Sequence, residues 1–227
     1  MKAQLLTKAT RNSYSGTRPD LQRLIPDNVN TILDVGCGPG VLGEALQARQ
    51  PCRVDGVEQH PELAAEARSR LARVYEGVAE EILRSPEMVQ RRYEVIVFGD
   101  VLEHLVDPWT VLRDATALLA PGGHVILSLP NVRHIDTIFH LVVKGTWPMR
   151  DRGIHDRTHL RFFTRHDMEA LIEQSGLRIK RLETNYRLLE RPHKYNTWAR
   201  RLAFGPLREF LAFQYLVVAV KRGDSLE

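Results

Sequence analysis

Thr31-Ile32-Leu33-Asp34-Val35-Gly36-Cys37-Gly38-Pro39-Gly40-Val41 is the stretch on which the fold turns. Thr31–Val35 is a short apolar run of the kind that forms a buried strand. Three glycines follow at alternate positions, and the breaker-free stretch from Val41 to Arg49 is helical in character. Glycines between a strand and a helix let the backbone take angles closed to other residues and let a ligand approach the main chain. A dinucleotide-binding loop would space its glycines Gly-x-Gly-x-x-Gly, with a phosphate on the helix N-terminus. Here the spacing is Gly-x-Gly-x-Gly, and Asp34 stands ahead of it. That carboxylate repels a phosphate and attracts an ammonium or sulfonium centre.

Outward from this loop, strand and helix alternate. Arg53–Val57 reads as a second strand, Pro61–Arg70 as a helix with proline in its first turn, and Arg73–Tyr75 as a weak third strand. Tyr93–Phe98 is a strong fourth strand. Pro108–Leu119 is a helix stopped by Pro121-Gly122-Gly123, and His124–Leu129 is the fifth strand. This succession predicts a parallel sheet with helices on both faces, and ligands at the carboxyl ends of its strands. The second half differs. Residues 131–164 are poorly periodic and rich in His and Arg, the mark of a binding loop. Arg165–Gly176 reads as a helix with a glycine cap, and Leu177–Glu183 and Gln214–Lys221 as the last two strands. The expected organisation is one domain over 1–227. It has an irregular lead-in at 1–29 and substrate-side insertions at 131–164 and 187–213.

The bulk numbers set limits. The chain has 227 residues, 43% hydrophobic and 26% charged, which is globular rather than disordered. A net charge of +4 is too small to argue for nucleic acid by itself. The two cysteines, Cys37 and Cys52, have no metal-motif spacing and form no disulfide framework, so a reducing, cytoplasmic setting is expected. No run approaches the roughly 18 apolar residues of a membrane span, and Met1–Asp20 lacks the apolar core of a signal peptide.

Glu58 ends the second strand, where an acid can accept the hydroxyls of a ribose. Asp100 and Val101 follow the fourth strand, where they can border a bound base. A single strand-end acid is ordinarily a solvated surface group. Acids on consecutive strand ends beside a glycine loop reverse that expectation. The set Ile32-Leu-Asp-Val-Gly-Cys-Gly-Pro-Gly40, Val57-Glu58, Phe98-Gly-Asp-Val-Leu-Glu-His-Leu105 and Leu119-Ala-Pro-Gly-Gly-His-Val-Ile-Leu127 resembles the motifs of class I methyltransferases. The resemblance implies a Rossmann-like α/β fold, a seven-stranded mostly parallel sheet with an antiparallel last strand. It also implies S-adenosylmethionine as donor and S-adenosylhomocysteine as product. The positions it assigns to the cofactor are Asp34, Gly36, Cys37, Gly38, Gly40, Glu58, Gln59, Asp100 and Val101. One departure stands out: Val78 occupies the place after the third strand where an acid often holds the adenine amino group.

Asp100-x-x-Glu103-His104 puts three potential ligands within five residues, and the segment from His155 to Thr164 adds His155 and His159. Two carboxylates and two imidazoles can hold a divalent metal, which lowers the pKa of a neighbouring hydroxyl. Glu103-His104 and His159-Leu-Arg-Phe-Phe-Thr-Arg165 resemble segments of metal-dependent O-methyltransferases that act on ubiquinone precursors or on small-RNA 3′ ends. The resemblance implies Asp100, Glu103, His104 and His159 as metal ligands, with Asp100 replacing a longer Glu. Without a metal, His159 or His104 serves as general base beside Glu103, with His155 a competing base. His134 follows the fifth strand and is a further candidate to face the substrate, or else a loop-surface histidine.

Arg133, Arg150, Arg152, Arg157 and Arg161, with Phe139, Trp147, Phe162 and Phe163, give the insertion both anion-binding and stacking groups. The stretch from Trp198 to Leu211 is basic and apolar, and Gly205-Pro206 breaks it into two turns, as in a lid or a dimer contact. Pro130-Asn-Val-Arg-His134 and Asp156-Arg-Thr-His-Leu-Arg-Phe-Phe-Thr164 resemble a bacterial subgroup that serves polysaccharide, glycolipid and secondary-metabolite pathways. The expected partner is therefore a small molecule, a saccharide or glycolipid included, with the chain a monomer or homodimer. Rival readings are a metal-assisted RNA 2′-O-methyltransferase and a non-catalytic cofactor-binding scaffold. A nucleotide-dependent oxidoreductase is disfavoured by Asp34.

Overall fold

Alternation inside single strands sets the layers of this molecule. In the computed structural model, which describes residues 16–190, 193–205 and 207–223, Ile32, Val54, Val95, Val97 and Ile126 face one side of a sheet. Their neighbours Leu33, Ile96, Phe98, Val125 and Leu127 face the other. Strands buried on both faces read as continuous apolar runs, and helices must cover each side. The strands are β1 (Thr31–Val35), β2 (Arg53–Glu58), β3 (Arg73–Glu76), β4 (Tyr93–Gly99), β5 (Leu119–Pro130), β6 (Leu177–Tyr186) and β7 (Ala212–Lys221). They form one seven-stranded sheet in the order β3-β2-β1-β4-β5-β7-β6, with β7 antiparallel to both its neighbours and the other pairings parallel.

One face is covered by α1 (Pro19–Gln22), α2 (Val41–Arg49) and residues near α3 (Pro61–Ala67). The other is covered by residues of α4 (Ala79–Ile82), α5 (Pro86–Val89), α6 (Pro108–Ala117) and α8 (Arg165–Gln174). Between β5 and α8, the first insertion holds α7 (Ile135–Ile138), continued by a widened turn over Phe139–Val143. The second insertion holds α9 (Asn196–Leu202) and α10 (Leu207–Leu211), divided at Gly205 as the sequence suggests. No helix among the described residues is long and apolar enough to cross a membrane.

Three boundaries differ from expectation by three residues or more. α3 ends at Ala67, because Arg68–Arg70 close in tighter turns that deliver Leu71 to the core. β5 begins at Leu119, before the Pro-Gly-Gly break: Leu119 pairs with Tyr93 and His124 with Val95, and the intervening residues bulge out. β6 runs on to Tyr186, because its antiparallel ladder with β7 continues to Ala212. Of the expected lead-in, residues 1–15 lie outside the described residues.

Candidate functional site

The carboxyl ends of β1, β2, β4 and β5 meet above the sheet. Gly36 and Cys37 donate their amides to the Val57 carbonyl at 2.8 and 3.0 Å, which binds the glycine loop to β2. Gly36 has φ +73°, and a Cβ there would lie 2.5 Å from Val101 Cγ2, so the β4 turn closes directly over a residue that must lack a side chain. Glu58 braces the loop from the other side. Its carboxylate accepts from the Gly38 amide at 2.9 Å and the His60 amide at 2.8 Å. Burial pushes the Glu58 carboxyl up, and these amides oppose the shift. Asp34 is buried, 3% exposed. Burial first and the nearby Glu58 second push its carboxyl up to about 7, against the pull of Arg18. Gly40 ends the loop as the N-cap of α2. Cys37 turns its sulfur into the core, within 2.5 Å of where a Gly56 Cβ would stand, and burial pushes its thiol up. Its side chain is therefore withdrawn from the cleft. Gln59 is exposed beside Glu58, and Val101 is half-buried.

Asp100 has left-handed backbone angles, φ +57°, unusual outside glycine. Its carboxylate is fully engaged. It accepts from Arg18 Nη1 at 2.8 Å, from Ser128 Oγ at 2.8 Å and from Gln214 Nε2 at 2.6 Å. It thus turns to Arg18, Ser128 and Gln214 and stands outside the group of Glu103, His104 and His159 that the sequence joined it to. Three of these four expected ligands come together. Glu103, His104 and His159 present ligand atoms all within 4.8 Å of one another. The amides of Leu160 and Arg161 donate to the Glu103 carbonyl at 2.8 and 3.0 Å, which docks the distant segment on the turn after β4. His159 Nδ1 faces the Ile154 carbonyl at 3.0 Å, an acceptor only, so Nδ1 carries the proton and Nε2 a lone pair. His104 Nδ1 lies 3.0 Å from Thr158 Oγ1, whose proton goes to Asp156 at 2.7 Å, and this leaves His104 Nε2 free in the same way.

Glu103 is 1% exposed, and neither carboxylate oxygen has a hydrogen-bond partner; His159 Nε2 stands 3.9 Å away. Burial, then Asp100, holds its carboxyl well above the usual range. Burial, then His104, lowers His159 to about 4. Burial also lowers His104. The result is a largely buried, electron-rich cluster: two imidazole lone pairs and an orphaned carboxyl, the donor set a divalent cation satisfies.

His155 belongs elsewhere. It is fully buried between Thr137 and Glu190, with Arg150 beside it, and burial lowers it to about 4. His134 is fully buried and so is not a loop-surface histidine. It caps α7 and donates to the Arg187 carbonyl at 2.8 Å. Arg18, Ser128 and Gln214 are the neighbours that sequence reading missed. Ser128 left a signal, as a hydroxyl inside the apolar run His124–Leu129; Arg18 left none.

The methyltransferase-domain family matches residues 10–182, more than half of the chain. The chain belongs to that family. The chain is 31% identical over 161 residues to the ubiquinone biosynthesis O-methyltransferase of Serratia proteamaculans (strain 568), covering 67% of this chain and 64% of that one. It is 33% identical over 166 residues to the enzyme of the same name from Cereibacter sphaeroides, covering 70% and 64%. The match therefore spans a little under two thirds of the length of these curated relatives. A SAM-dependent methyltransferase from Archaeoglobus fulgidus superimposes with a TM-score of 0.65 at 16% identity, over 93% of this chain and 94% of that one. Magnesium protoporphyrin IX methyltransferase from Synechocystis, solved with bound S-adenosylhomocysteine, gives 0.62 at 13%, over 97% and 90%. At such identities the likeness is one of fold, the class I S-adenosylmethionine-dependent fold that the glycine loop led us to expect.

Proposed function

We propose that this methyltransferase moves the methyl group of S-adenosylmethionine to a hydroxyl oxygen of a small molecule, with saccharides and glycolipids within that class. The observation that carries the reading is the Glu103–His104–His159 cluster one turn beyond the cofactor end of β4. The relatives' name, ubiquinone biosynthesis O-methyltransferase, supports the oxygen acceptor.

Asp34 and the loop Gly36–Gly40 receive the amino-acid end of the donor. Ionised Asp34 pairs with its ammonium group, and backbone amides line the rest. Glu58 holds the ribose hydroxyls, since its two oxygens face the loop and the start of α3. Gln59 lies beside it, and Asp100 and Val101 close the cleft. The acceptor hydroxyl lies against His159. Its oxygen attacks the methyl carbon in line as the carbon–sulfur bond breaks, and its proton passes to the free Nε2 of His159 or His104. Much of the acceleration is positioning, because the sulfonium is already activated. Glu103, His104 and His159 would hold a divalent metal, whose chemistry here would be to acidify the acceptor hydroxyl.

A screen of hydroxylated acceptors with methyl-labelled donor tests this. Label should enter an O-methyl product, and His159→Ala should lower turnover roughly 100-fold or more with S-adenosylhomocysteine binding retained. Wild-type turnover in both His159→Ala and Glu103→Gln would overturn the assignment of this site.

A further inference from the structure

The second insertion reaches His159 through one carbonyl. Glu190 lies just after β6, is 6% exposed, and seats its carboxylate in a cradle made by the first insertion. The cradle has three sides. Gly153, at φ +85°, approaches so closely that a Cβ would stand 2.3 Å from Glu190 Oε1. His155 donates its amide to Oε1 at 3.4 Å and places Nδ1 3.2 Å from Oε2. Arg150 forms an ion pair with Glu190 and also reaches Asp136 at 2.9 Å. The far side of the His155 ring is fixed by Thr137 Oγ1 at 3.1 Å.

Between Gly153 and His155 lies Ile154, 1% exposed. Its carbonyl is the group that receives the Nδ1 proton of His159. The flanking turn is tied as well: Asp156 donates its amide to the Gly153 carbonyl at 3.1 Å, and His159 donates its amide to the Asp156 carbonyl at 3.1 Å. Residues on both sides of the Ile154 peptide are thus held by one carboxylate from another part of the chain.

We propose that Glu190 is a positioning residue for His159: it fixes the Ile154 carbonyl, and so sets which His159 nitrogen carries the proton and which faces Glu103. The inference rests on the reading of Glu103, His104 and His159 as the acceptor-side centre. A partner of this kind orients an imidazole without touching substrate, and its loss is felt at the other ring nitrogen. The arrangement also gives His155 a role other than general base, as part of the wall that receives Glu190.

The test reads the His159 ring directly. Long-range proton–nitrogen NMR of the full chain labelled at histidine, with the His159 signals assigned by their loss in His159→Gln, reports the tautomer. The wild type should show the proton on Nδ1. Glu190→Ala should redistribute it between the two nitrogens, while Glu190→Gln, which keeps an acceptor oxygen in the cradle, should restore the wild-type pattern. A folded Glu190→Ala protein with an unchanged His159 spectrum would overturn the proposal. If Glu190→Ala does not fold, Glu190→Asp, which keeps the charge and withdraws it by one methylene, is read in the same way. Titration with Zn²⁺ alone forms a second arm, in which Glu190→Ala should weaken binding roughly 10-fold or more. A wild type that binds no Zn²⁺ counts against a metal at the centre, and the tautomer arm still decides the role of Glu190.

Discussion

Asp34 is a buried carboxyl, 3% exposed, and in the function proposed above its partner is the donor's ammonium group. With its pKa raised to about 7, it is largely protonated in the unliganded fold below that pH. The folded state then binds the proton more tightly than the unfolded chain does. This contribution to stability is complete below about pH 4 and is lost as pH rises through 7, by at most about 4 kcal/mol. Binding of a cationic amino group favours the ionised form and expels the proton. Affinity for S-adenosylhomocysteine should therefore fall on acidification below pH 7, by up to about tenfold per unit. Calorimetry between pH 5.5 and 8 checks this; Asp34→Asn should bind weakly and without that slope, and a flat wild-type profile would contradict the role given to Asp34. At this scale the sequence was informative about identity and poor about direction. Asp34, Glu58, Glu103, His104 and His159 are all conspicuous by residue type and spacing. The turning of Asp100 toward Arg18 and Gln214 depends on a left-handed backbone and on a partner 114 positions along the chain, neither of which has a local signature.

Among the elements, α8 shows how a helix start can be read and tested. Thr164 caps it: the hydroxyl oxygen accepts from the Asp167 amide at 3.4 Å, and Asp167 accepts in return from the Thr164 amide at 3.0 Å. The cap sits directly after Phe163, which pairs with Asn131, so it also sets where the first insertion rejoins the sheet. Thr164→Ala should cost about 1 kcal/mol in urea unfolding, with no change in donor binding; a cost within error of zero would show that tertiary packing alone sets the helix start. The strands were legible because two-sided burial writes an unbroken apolar run. β5 was misread at its start because Pro121, Gly122 and Gly123 ordinarily end an element, whereas here they form a bulge inside one. The helix of the first insertion was not legible, whereas Gly205 marked the division of the second into two. That helix is short, and the apolar residues that continue it, Phe139, Leu141, Val142 and Val143, are exposed and form no buried stripe.

For the molecule as a whole, the two insertions are joined to the sheet at Asn131. Its side chain is fully buried, donates to the carbonyls of Glu209 and Ala212 at 2.8 Å each, and accepts from the Arg133 amide at 3.0 Å. Asn131→Ala orphans these groups and should cost about 2–3 kcal/mol. Heat denaturation should then come roughly 4–10 °C earlier. A shift under a degree would mean that water replaces the side chain at no loss. The sheet order has a separate consequence. β7 lies between β5 and β6 yet follows both in the chain, so β6 has no partner strand until β7 has left the ribosome. During synthesis the edge of β5 stays open, and the long apolar run of β7, once made, must find a slot between two waiting strands. A chain released or cleaved between Tyr186 and Ala212 would carry an intact glycine loop beside a sheet with an exposed apolar edge, a species prone to aggregate rather than to act.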